Sequence, residues 1–268
     1  MEFRSLQSLF PSCTFHFVNR EELAIDDYTA VENWFKNNQV DYCINCAAYT
    51  AVDQAESDFS TAMKINGDAV GHLASVTKLY GTKLFHFSTD YVFDGTGSIP
   101  YKESDNIKPV NAYGVSKRKG EELALENNPA TIILRTSWVY SKHGKNFVNT
   151  MIRLMESKES IGVVNDQRGC PTYAADIASA CMKIITSDSF KPGIYHYCNE
   201  GIISWFEFAS AIKKIKQYTC KILPITSYQY PTAAKRPGYS ALDTAFFRET
   251  FNIDIPGWKE SLVKCLGD

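Results

Sequence analysis

Two clusters of residues in this sequence could do chemistry on a carbonyl group. The first is Tyr113-Gly-Val-Ser-Lys117. Residues four apart share one face of a helix. A free tyrosine titrates near pH ~10, so its phenol is a poor proton donor at neutral pH. A nearby ammonium favours the phenolate and lowers that value. A Tyr-x-x-x-Lys pair is therefore a candidate general acid for carbonyl reduction. The spacing alone fits equally a surface aromatic beside a lysine whose stem lies along the helix. The second cluster is Ser88-Thr89-Asp90-Tyr91, within a run over 82–93 that reads as a strand ending in a polar segment. Open α/β sheets bind ligands outside the carboxyl ends of their strands. A hydroxyl there is placed to polarise a substrate carbonyl, although local Ser/Thr hydrogen bonds at a strand end explain the same residues. Cys43-x-x-Cys46 carries less. The stretch DYCINCAA reads as a strand, whose side chains alternate between faces, so the two thiols suit neither a metal nor a dithiol. Cys13, Cys170, Cys181, Cys198, Cys220 and Cys265 lie mostly in apolar stretches and read as small core residues of a reducing compartment. No metal-ligand set is expected.

These clusters need a frame. Residues 13–19 read as a strand. Asp26 to Asn37 reads as a helix, with Asp26 or Asp27 as N-cap and Val31, Trp34 and Phe35 on its apolar face. Further strands are expected at 41–48, 82–93 and 130–140. A long helix over 57–80, ended by Gly81, and another from Asn111 to Asn127 fall between them. This alternation implies an α/β protein with a Rossmann-like, doubly wound parallel sheet. Residues 1–140 are expected to form the nucleotide-cofactor domain, with 165–190 returning to it. Beyond residue 140 the sequence predicts helices near 146–157, 173–187 and 204–216, the last capped by Ser204. A strand at 193–199 and a final helix after Pro256 complete the chain. Residues 141–164 and 191–268 are expected to form a smaller α/β substrate lobe. Hydrophobic residues make up 44% and charged residues 22% of the 268, and formal net charge is −2. That balance suits a globular enzyme and argues against nucleic-acid or membrane partners. No apolar run approaches the ~20 residues of a bilayer span, and the opening lacks a signal-peptide core. The expected location is cytoplasmic.

Nine stretches in order resemble one family. They are CAAYTAVDQAE (46–56), KINGDAVGHLA (64–74), FSTDYVFDG (87–95), NAYGVSKRKGE (111–121), RTSWVY (135–140), GKNFV (144–148), VNDQRGCPT (164–172), SWFEFA (204–209) and KRPGYSALD (235–243). Together they resemble the dTDP-4-dehydrorhamnose reductase family of extended short-chain dehydrogenases/reductases. The resemblance implies NADPH-dependent reduction, with NADH as the alternative cofactor, of the C4 keto group of a nucleotide sugar. The product would be dTDP-L-rhamnose. It implies Thr89, Tyr113 and Lys117 as the catalytic set: Tyr113 protonates the C4 oxygen, Thr89 bonds the carbonyl, and Lys117 lowers the Tyr113 pKa and holds the nicotinamide ribose. Ala47, Ala48 and Tyr49 would line the cofactor, with Ser88 beside the nicotinamide. Asp90 and Trp138 would contact the sugar nucleotide, and Arg236 would reach its diphosphate, which suits a guanidinium. Asp166 and Gln167 would join the lobe interface or form a structural turn. The resemblance also allows a bound magnesium ion and a homodimer. Two other readings stay open: a non-enzymatic regulator like that of methionine adenosyltransferase, and a related nucleotide-sugar epimerase or dehydratase.

The opening departs from the family. Such sheets begin with a strand and a glycine-rich turn that admits the cofactor pyrophosphate to a helix N-terminus. Here the first glycine is Gly67, and the opening reads as a first helix followed by a second strand. The expectation is that the missing strand and turn lie ahead of Met1. The 13–19 strand ends at Asn19-Arg20, where an acidic residue would favour NADH. A cation there suits the 2′-phosphate of NADPH, unless Arg20 is a plain surface residue.

Overall fold

The computed structural model describes residues 2–267. Four parallel strands form the main sheet in the order Tyr42–Asn45, Lys83–Thr89, Thr131–Thr136 and Gly193–His196. The third strand is buried at every position, as a parallel strand covered on both faces must be. Its residues alternate between two cores. Ile132 and Leu134 join Phe85 and the helix Ala174–Thr186, with Phe247 and Phe251 behind. Ile133 and Leu84 face the other way, onto Val70, Leu73, Ala74, Ala124, Val31 and Phe35. A third core gathers Tyr140, Val148, Met151, Phe208, Ile212, Trp258 and Leu262.

The structure corrects three expectations about elements and refines a fourth. Residues 13–19 form no strand. Their period-2 pattern is present, with Cys13, Phe15 and Phe17 half-buried and Thr14, His16 and Val18 exposed, and Phe15 stacks on Phe17 at 5.5 Å. A strand also needs a ladder partner, and the Tyr42–Asn45 strand pairs only with Lys83–Thr89 among the described residues. The long helix expected over 57–80 is present and unbroken, Phe59–Met63 running through a π-turn at Lys64–Asp68 into Ala69–Leu79. The strand over 130–140 stops at Thr136 because Trp138 adopts a left-handed backbone, φ 48°. Val139–Tyr140 then pairs with Thr172–Tyr173 instead. Finally, Gly193–His196, expected in the substrate lobe, is the fourth strand of the main sheet.

Local signals elsewhere match the structure. The Asp27 side chain caps Tyr28–Asn37. Ser204 and Glu207 form a reciprocal capping box on Trp205–Lys216. The helix Ala112–Asn127 starts on the Asn111 side chain, which accepts from the Gly114 amide at 2.7 Å. That helix sits very close to the sheet. A Cβ on Gly114 would collide with the Tyr91 carbonyl, and one on Gly120 with the Asn66 carbonyl that the π-turn pushes forward. The two glycines thus set the distance between Tyr113, Lys117 and the strand end.

Candidate active site

The second strand ends at Thr89, and the chain turns through a 3-10 turn at Asp90–Val92. Thr89 Oγ1 caps that turn by accepting from the Tyr91 amide at 3.2 Å, and donates to Asp90 Oδ1 at 3.1 Å. Tyr113 arrives from its helix with its ring edge-to-face on Tyr91, 5.9 Å between centroids. Burial, and behind it the Asp90 charge, push the Tyr113 phenol up to about 12, and the nearby Thr89 hydroxyl offsets this only in part. Lys117 Nζ points into the protein and donates to the Phe87 carbonyl at 2.6 Å. Burial pushes this lysine down to about 8. In this geometry Lys117 is not among the groups that act on the Tyr113 phenol: its Nζ is turned toward the Phe87 carbonyl, and burial disfavours its charge.

Beside this group lies the loop after the first strand. Asn66, carried on the π-turn, accepts from the Tyr49 amide at 2.8 Å and donates to the Tyr49 carbonyl and to Ser116 Oγ, both at 3.0 Å. The Ala47 amide donates to Asn45 Oδ1 at 3.0 Å. Ala47, Ala48 and Tyr49 are thus held against the Tyr113 helix by two asparagines that sequence reasoning did not single out. A π-turn at a functional site is a recurring device, but nothing local in KINGD distinguishes it from ordinary helix.

Two buried polar atoms here make no hydrogen bond, Ser88 Oγ and Asp90 Oδ2. Buried groups of that kind call for a partner. The Ser240 hydroxyl lies close enough to favour the Asp90 carboxylate, yet hydrogen-bond geometry is not met at Oδ2. Both atoms suit a polar ligand at the strand end, and Ser88 Oγ suits the amide of a nicotinamide. The pyrophosphate end has no comparable cradle: among the described residues no strand leads into a glycine-rich turn. Nor do the described residues group three or more His, Cys, Asp or Glu side chains that could hold a metal ion. The magnesium ion that the resemblance allows has no ligand set among them.

The remaining predicted residues are engaged with other partners in the fold. Arg236 does not point a free guanidinium outward. It forms a two-pronged ion pair with Asp53, 2.9 and 2.7 Å, and Asp53 also accepts from the Ala234 amide. A carboxylate fills the fork that a phosphate would fill, and the pair ties the 234–236 segment to the loop beyond Tyr49. Trp138 stacks on Trp205 at 3.5 Å between centroids, with Gly169 against its indole edge. Asp166 accepts from the Ser227 amide and hydroxyl, and Gln167 donates to the same hydroxyl, so this loop clasps the 227 turn. Asn19 folds back to accept from the Glu21 and Glu22 amides, and Arg20 is exposed.

Burial pushes the Asp90 carboxyl up to about 6. The folded chain then holds this proton more tightly than the unfolded chain does, so stability falls as pH rises between about 4 and 6. Asp90→Asn is expected to remove that part of the slope. Melting curves of both proteins across the window check it, and parallel curves would assign the slope to other groups.

A parallel sheet with a threonine at a strand's carboxyl end, and a helix presenting Tyr113 and Lys117 beside it, defines a reductase of the short-chain dehydrogenase class. More specifically, the chain belongs to the family described as RmlD substrate binding domain, whose profile matches residues 5–268. It is 44% identical over 238 residues to the dTDP-4-dehydrorhamnose reductase of Aggregatibacter actinomycetemcomitans, covering 85% of this chain and 80% of that protein. It is 41% identical over 249 residues to the spore coat polysaccharide biosynthesis protein SpsK of Bacillus subtilis, covering 93% and 87%. Among solved structures it resembles dTDP-4-dehydrorhamnose reductase from Bacillus anthracis in complex with NADP, with TM-score 0.94, 38% identity, and coverage of 98% and 93%. Among the described residues no helix is long and apolar enough to cross a membrane.

Proposed function

We propose that this chain reduces the C4 keto group of dTDP-4-dehydro-L-rhamnose to give dTDP-L-rhamnose, using NADPH. The observation that carries this reading is the meeting of Thr89, Tyr113 and Lys117 at the carboxyl end of the parallel strands, in a chain of this family. When bound, the reduced nicotinamide supplies the hydride. Tyr113 gives its proton to the C4 oxygen as charge develops there, and the Thr89 hydroxyl donates to the same oxygen. Ser88 Oγ and the Ala47–Tyr49 segment receive the nicotinamide end, and Lys117 the ribose. Asp90 and Trp138 face the sugar nucleotide, with Arg236 released from Asp53 toward its diphosphate. Asn19 and Arg20 take the adenosine end, where the exposed Arg20 favours NADPH over NADH. The setting this reading implies is cytoplasmic.

The test is a fluorescence titration with NADPH and with NADH, followed by addition of the keto-sugar and analysis of the product. The expected result is tighter binding of NADPH and one NADPH consumed per dTDP-L-rhamnose formed. Cofactor binding with no turnover would favour a regulatory partner protein. A different sugar product would favour an epimerase or dehydratase.

A further inference from the structure

The groups around Lys117 form a buried chain that starts from the main chain of the loop after the first strand. Asn45, His86 and Lys117 are 5%, 0% and 2% exposed. The Ala47 amide donates to Asn45 Oδ1 at 3.0 Å. A backbone N–H can only donate, so this bond decides which end of the asparagine amide is oxygen. Asn45 Nδ2 must then donate to His86 Nδ1, 3.1 Å away. His86 is held neutral chiefly because burial opposes a charge on the ring. With Nδ1 accepting, its single proton sits on Nε2. Nε2 lies 3.4 Å from Lys117 Nζ. If Lys117 is an ammonium, two donors confront each other. A neutral amine instead offers Nε2–H a lone pair while still donating to the Phe87 carbonyl.

The other groups packed around the lysine do not reverse this. Glu121, on the same helix, favours the ammonium. Both of its oxygens are taken by Arg135 from the third strand, at 2.8 Å each, and one also by Arg118. From the π-turn, Asn66 is spent on Tyr49 and Ser116. At the strand end Thr89 and Asp90 bond each other, and Tyr113 is a neutral phenol.

We propose that His86 is the positioning residue that weakens the hold of Lys117 on its proton: Asn45 locks it as the Nε2–H tautomer, and in that form it favours the neutral amine over the ammonium. The consequence for catalysis, though not the tautomer itself, rests on the reductase reading. The weaker Lys117 holds its proton, the less it does to bring the Tyr113 phenol down from its high-pKa state. Should the Ala47 amide leave Asn45, the asparagine can turn and accept from Nδ1–H. The ring proton then exchanges to Nδ1, Nε2 becomes an acceptor, and Lys117 holds its proton more tightly. Tyr113 gains the positive neighbour that activates it. His86 thereby couples the Ala47–Tyr49 segment to the acid.

The experiment is long-range proton–nitrogen NMR on the isotopically labelled full chain, with no substrate present. The wild-type spectrum is expected to show His86 as the Nε2–H tautomer with no titration through neutral pH, and Lys117 titrating near 8. In His86→Gln, whose amide is free to turn its oxygen toward Nζ, the Lys117 midpoint should rise by about one unit. An Nδ1–H tautomer in the wild type would overturn the proposal. So would an unmoved Lys117 midpoint in a His86→Gln protein with native near-UV circular dichroism. The wild-type measurement stands even if the variant does not fold. Failure to reduce the keto-sugar would sink the reductase reading and leave the tautomer result untouched.

Discussion

Replacing Tyr113 by phenylalanine is expected to lower kcat for keto-sugar reduction by about 10²–10⁴-fold, the usual contribution of a positioned general acid. The substitution is surgical. The ring keeps its edge-to-face contact with Tyr91, the Asn111 cap and the Gly114 approach stay intact, and only the hydroxyl facing Thr89 is lost. NADPH affinity should therefore be unchanged, so the loss falls on kcat. Steady-state kinetics beside a cofactor titration separate the two. A Phe variant with near-wild-type kcat would place the proton donor elsewhere, and Thr89 or a water would have to be considered.

The second large effect is on stability. Arg135 is among the largest fully buried side chains of the described residues and lies in the middle of the sheet. It donates through Nε and Nη2 to both oxygens of Glu121, at 2.8 Å each, and Glu121 is equally buried. Its guanidinium also sits over the Phe93 ring at 5.3 Å and 3.5 Å from His196 Nε2. Arg135→Met removes one partner and leaves a carboxylate in the core, with only the half-buried Arg118 to answer it. Breaking a buried pair in this way costs about 3–5 kcal/mol. Urea unfolding should show that loss at unchanged slope, and Arg135→Met/Glu121→Leu should recover much of it because no charge is then stranded. A single variant costing under about 1 kcal/mol would mean that Glu121 is answered by Arg118 or takes up a proton without penalty. Because Glu121 is one turn beyond Lys117, the pair anchors the catalytic helix on the sheet, so the variant should also lose activity ahead of global unfolding.

Much of this molecule is legible in its sequence because the determinants are short-range. A cap and the amide it satisfies lie three residues apart, so Asp27, Asn111 and Ser204 mark their helices correctly. The alternation of LFHFST and IILRT states which side chains face which layer. Tyr113 and Lys117 share a helix face by arithmetic alone, and nine ordered motifs are specific enough to identify the family. What the sequence could not determine depends on partners distant along the chain. Residues 13–19 carry a strand's periodicity, yet strand formation is settled by the neighbour, and none lies beside them among the described residues. Gly193–His196 joins the main sheet because the third strand offers an edge. Lys117 meets His86 and the Phe87 carbonyl, Arg135 meets Glu121, and Arg236 meets Asp53, and each pairing is set by how helix, strand and loop stack. Periodicity and capping are properties of the local backbone, whereas the charge and proton of a buried group are properties of whatever the fold brings against it.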